Sequence, residues 1–207
     1  MTKRTDISLW IAALQGKPGG VMAYIGYFDS QINPEQSRII ADLVWSFRNE
    51  ELTALVATYV FHRSRWEKAE YLGWKPDLKR TFTRTSLFRK SVEFDWVIGI
   101  CPSVECLQEV VLTGWNLSGN ESFIMILAKE MNAVVPEIGR IYQDGLEAIE
   151  KNELHWMDYC PFVFSRDNDG LTLRIYTLHL SENEFRQKLE LFLHTHGINV
   201  VPSAKPL

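Results

Sequence analysis

The sequence predicts an α/β or α+β protein, with residues 1–207 forming a single domain in which helices flank a mixed sheet. Three observations carry that expectation. Apolar segments of strand length alternate with segments of helical period through the first two-thirds of the chain. Leu171 to Leu178 alternates in period two behind the turn residues Asp167-Asn168-Asp169-Gly170, which is a C-terminal β-hairpin. Ser181 with Glu184 three residues on then makes a capping box, opening a helix that carries Phe185, Leu189 and Phe192 and stops at Gly197.

From the start of the chain, Asp6 can cap a short helix through Trp10 and Leu14, ended by Gly16 and a Lys17-Pro18-Gly19-Gly20 turn. Val21 to Phe28 is aromatic and apolar over a strand's length. Asn33-Pro34 is a helix start, and Ile39, Ile40, Leu43, Val44 and Phe47 follow at helical spacing. Thr53 to Phe61 is rich in Val, Thr and Tyr and suits a strand, although Leu52, Leu55, Val56, Tyr59 and Val60 also fit one helical face. A short helix over 66–72, an edge strand over 81–88 and a central strand over 94–100 come next. The last runs into Cys101-Pro102-Ser103, where Pro and Ser open a helix ending near Gly114. A buried strand over 122–128 and a helix from Pro136 complete the series.

The chain has 46% hydrophobic and 23% charged residues, the balance of a folded soluble protein with a substantial core. Its first residues lack the apolar stretch of a secretion signal, and no apolar run approaches the ~20 residues of a membrane-spanning helix. Cys101, Cys106 and Cys160 are an odd set without paired spacing, which points away from a disulfide framework and to a reducing, cytoplasmic setting.

Charge is unevenly placed. Residues 62–90 carry nine Lys/Arg against three Asp/Glu, a surplus of +6 that leaves −10 on the remainder of a chain whose net is −4. Arg63, Arg65, Lys79, Arg80 and Arg84, interleaved with Trp66, Trp74 and Phe82, form a candidate anion or nucleic-acid site. The plainer reading is that these cations neutralise the acidic stretch 93–193, where seventeen Asp/Glu meet seven Lys/Arg, within the fold or across a homodimer. Nucleic acid is the less favoured partner for a chain of pI near 5.8.

Cys101 is the candidate nucleophile. It stands where a strand meets a helix N-terminus, a position at which ligands bind in open α/β sheets and at which the helix dipole favours thiolate. His62, closing another expected strand, is its candidate base. No metal is expected: His194 and His196 are two apart at a helix end and do not share a face, and Asp167 to Gly170 lacks the carboxylate that closes a calcium loop. No cofactor fingerprint is present; Gly16 to Gly20 follows a helix and precedes a strand, the reverse of a phosphate-binding loop.

These observations favour a non-catalytic binding or regulatory module that acts through a protein surface, with a protein partner or a second copy. A thiol-dependent small-molecule enzyme built on Cys101 and an anion binder using residues 62–90 are the alternatives. No membrane association is expected.

Overall fold

The computed structural model describes residues 6–13, 20–26, 32–60, 78–85, 91–118, 123–138, 159–166 and 172–202. Among the described residues it is an α+β fold built on one nine-stranded mixed sheet. In chain order the elements are β1 (Asp6–Ala13), β2 (Val21–Gly26), α1 (Pro34–Ser46), β3 (Thr53–Val60), β4 (Leu78–Thr85), β5 (Ser91–Cys101) and α2 (Val104–Ser118). They continue with β6 (Phe123–Ala128), a helical stretch at 131–138, β7 (Phe162–Arg166), β8 (Thr172–Thr177), α3 (Glu182–Thr195) and β9 (Asn199–Pro202). Across the sheet the order is β4-β5-β3-β6-β7-β8-β2-β1-β9. Every neighbouring pair is antiparallel except β1 with β9.

The period-two pattern of the strands decides what each face meets. On one face Ile7, Leu9 and Ile11 of β1, Val21, Ala23 and Ile25 of β2, and Leu173 and Ile175 of β8 are buried. Phe162, Phe164, Met125, Leu127, Ala54 and Val56 continue that layer under Ile40, Leu43 and Val44 of α1, Leu107 and Val111 of α2, and Phe185 and Leu189 of α3. Phe47, just past α1, sits among Phe162, Phe164 and Phe185 with ring centroids 4.9, 5.9 and 5.6 Å away. Each such ring removed from water contributes about 1.5–3 kcal/mol before entropy is counted. The opposite face carries a second core, in which Leu55, Ala57, Ile98, Ile124, Ile126 and Val163 pack with Val134, Val135 and Ile138 of the helical stretch. All six residues of β6 are buried, because β6 is covered on both faces.

Sequence chemistry explains the helix ends. Asn33 caps α1 by accepting from the Gln36 N–H, while the Gln36 side chain accepts from the Asn33 N–H. Ser181 and Glu184 do the same for α3. Asn116 of α2 accepts from the Ile32 N–H at 2.8 Å and donates to the Ile32 carbonyl at 2.9 Å, pinning the approach to α1. Arg166 is 3% exposed; it donates to the Trp115 carbonyl at 2.9 Å and lies over the Trp115 ring. A cation at the last turn of α2 complements that helix's negative end.

Three expectations change. Residues 6–13 are a strand and not a capped helix, because Ile7, Leu9 and Ile11 alternate with Ser8, Trp10 and Ala12, and pairing with β2 and β9 satisfies their backbone. The helix after Ser103 runs through Gly114 to Ser118. There glycine serves close packing: a Cβ would lie 2.6 Å from the Phe123 ring. The helical stretch at 131–138 begins before Pro136, not at it. Thr53–Val60 is a strand between β5 and β6, which resolves the helical alternative, and β9 is an element the sequence pattern did not announce. The expected helix over 66–72 lies outside the described residues.

Candidate functional site

Cys101 ends β5 opposite Ala54, at the beginning of β3, and is 2% exposed within the helix-covered core. Because β5 is antiparallel to both β3 and β4, the parallel-strand crevice that motivates a ligand site at this point is not formed there. His62 lies outside the described residues. The pairing of Cys101 with His62 therefore falls outside the described residues. Cys160 is also buried, and desolvation pushes its thiol up to about 12.

Of the expected anion-binding residues, Arg63 and Arg65 lie outside the described residues. Lys79, Arg80 and Arg84 fall on β4, the strand at one end of the sheet, at register positions opposite Val97, Trp96 and Val92. Among the described residues no group of three or more His, Cys, Asp and Glu is arranged to hold a metal ion. No described helix is long and apolar enough to cross a membrane.

A different cluster stands on the sheet face opposite the three helices. Trp10, Tyr24, Arg174 and Ser165 are register partners in sequence across β1, β2, β8 and β7, and so form one row perpendicular to the strands. Trp10 and Tyr24 meet edge to face with centroids 5.3 Å apart, and the Arg174 guanidinium lies over the Tyr24 ring at 5.3 Å. Both contacts are favourable ring-quadrupole geometries. One step along β8, buried Tyr176 hydrogen-bonds with Arg174 and Ser165; burial pushes its hydroxyl up to about 12 despite the opposing charge of Arg174.

Beyond Ser165 the row continues into Ile124 and Ala57, which are buried with the second core. On the β1–β2–β8 side, by contrast, Trp10, Tyr24 and Arg174 are only half-buried and Ser8 is exposed. This part of the face thus carries partly covered aromatic rings with a cation held against them, next to a closed apolar half. The sequence expectation of a helix over Trp10 hides this row. The available signal was the strict alternation of Ile7, Leu9 and Ile11, which puts Trp10 on the face away from the core.

Fold and site together define the class: an α+β protein whose largely antiparallel sheet buries one face under three helices and leaves part of the other as an aromatic surface. No protein-family model, no curated protein and no solved structure matches this chain.

Proposed function

We propose that the protein is a non-catalytic binding module, and that the partly buried Trp10–Tyr24–Arg174 row is the surface through which it holds a protein partner. The observation that carries this is the kind of side chain that is partly accessible on this part of the sheet. Trp, Tyr and Arg supply large contact area with few rotamers to freeze, and they are the residue types over-represented at the energetic centres of protein interfaces. Here Trp10 meets Tyr24 edge to face and Arg174 lies over the Tyr24 ring, and a surface ordered in advance costs less to dock against. A sheet face whose only task was to meet water would carry short polar residues at such positions.

The test uses the full chain, wild type and Trp10→Ala, as immobilised bait, together with light scattering of each alone. The expectation is a stoichiometric protein partner, or a self-associated wild type, with affinity reduced about thirtyfold by Trp10→Ala, the loss typical of a central aromatic anchor. Far-UV circular dichroism should be unchanged. Equal affinity of the two proteins, or a monomer that recovers nothing, overturns the proposal.

A further inference from the structure

The two ends of the sheet are finished in different ways. β9 is a four-residue strand that terminates at Pro202, and a short strand ending in proline presents little backbone to a newcomer. β4 is eight residues long and contains neither Pro nor Gly. It pairs with β5 one residue for one from Leu78↔Ile98 to Thr85↔Ser91, without a bulge. In an antiparallel ladder alternate residues turn their N–H and C=O groups away from the neighbour, so about half of the eight are directed to the other side of β4, where no strand stands among the described residues. That strand also carries Lys79, Arg80 and Arg84 and no Asp or Glu.

We propose that β4 is a strand-addition site for an extended acidic segment of another protein, a second surface independent of the Trp10 row and at the far end of the sheet order from β1. Backbone pairing supplies the affinity in this mode of recognition, and side chains supply the choice of partner. Charge selects the occupant. A second copy docking β4 against β4 would align two strands of three cations each, and like charges facing each other across strands oppose pairing. An acidic strand meets the opposite condition. A nucleic acid could use the cations but not the outward N–H and C=O row, which an extended peptide can pair with.

The test is fluorescence anisotropy of an eight-residue, N-acetylated peptide alternating Glu with Val, titrated with the full chain at low and at physiological salt. Three comparison probes accompany it: the Lys–Val counterpart, a Glu–Val peptide N-methylated at alternate amides, and a single-stranded oligothymidine. Expected are binding of the Glu–Val peptide, weakening by about tenfold or more on N-methylation and on Arg80→Glu/Arg84→Glu, and slowed amide exchange within residues 78–85. The milder Lys79→Gln/Arg80→Gln/Arg84→Gln variant, checked by circular dichroism, gives the same weakening if charge reversal disturbs folding. Trp10→Ala leaves this binding unchanged, so its failure is distinguishable from failure of the function proposed above. No binding of the Glu–Val peptide at low salt, equal binding of the N-methylated peptide, or preference for the oligonucleotide overturns the inference.

Discussion

Cys101 shows how one residue reads differently in sequence and in space. A cysteine between a strand and a helix start resembles an activated thiol, but that resemblance depends on the strand lying parallel to its neighbours, which no local pattern reports. In the antiparallel ladder Cys101 faces the helix-covered core at 2% exposure. Alkylation of the native protein at pH 8 should therefore modify half-buried Cys106 first. Cys101 and Cys160 should react only as fast as the protein opens, since burial denies access to both and holds the Cys160 thiol near 12. Mass-spectrometric timing of the three sites checks this. Rapid labelling of Cys101 below the ordinary thiol range of ~8.5 would reinstate the thiol-enzyme reading.

Among elements, α3 is the one whose making and breaking is best defined. Its first turn is closed by Ser181 and Glu184, and the hydrogen bond from Ser181 followed by that from its backbone N–H holds the Glu184 carboxyl below its ordinary value of 4.5. A carboxylate with a lowered folded-state value adds stability that is present above the unfolded value and is lost as pH falls through the lowered one. Glu184→Gln should therefore lower stability modestly near neutrality, where the ionised carboxylate contributes, and flatten part of the acid limb of a stability-versus-pH curve below pH 4.5. At the other end His196 caps the helix, its Nδ1 2.9 Å from the Phe192 carbonyl and its Nε2 3.6 Å from Asp42 of α1. The Asn33 helix start, the Ser181–Glu184 capping box, the hairpin and the apolar period of α1 were legible in the sequence because each is local. The fate of residues 6–13 was not: Asp6 is as good a helix cap as any, and only the strands on either side of β1 settle the matter. For the same reason the Trp10–Tyr24–Arg174–Ser165 row, drawn from four strands between residues 10 and 174, could not be read from any one of them.

Over the whole molecule, stability should be highest where the sheet is covered on both faces. β6, buried at all six positions, and its neighbours β3 and β7 are expected to hold the slowest-exchanging amides, and β9 and β4 the fastest among the strands. Native-state hydrogen exchange measured by strand checks that order; slow exchange at β9 with fast exchange at β6 would contradict it. The strand order has a kinetic consequence as well. β2 and β3 follow one another in sequence with only α1 between them, yet β6, β7 and β8 lie between them in the sheet. The first hundred residues can thus form two strand groups, β1 with β2 and β3 with β4 and β5, but no bond joins them until the later strands arrive. On a ribosome those groups would emerge with unsatisfied edges facing a gap, and the keystone that closes it is synthesised afterwards. Non-local pairing of this kind slows folding. During that interval the nascent chain is most exposed to aggregation and to chaperones.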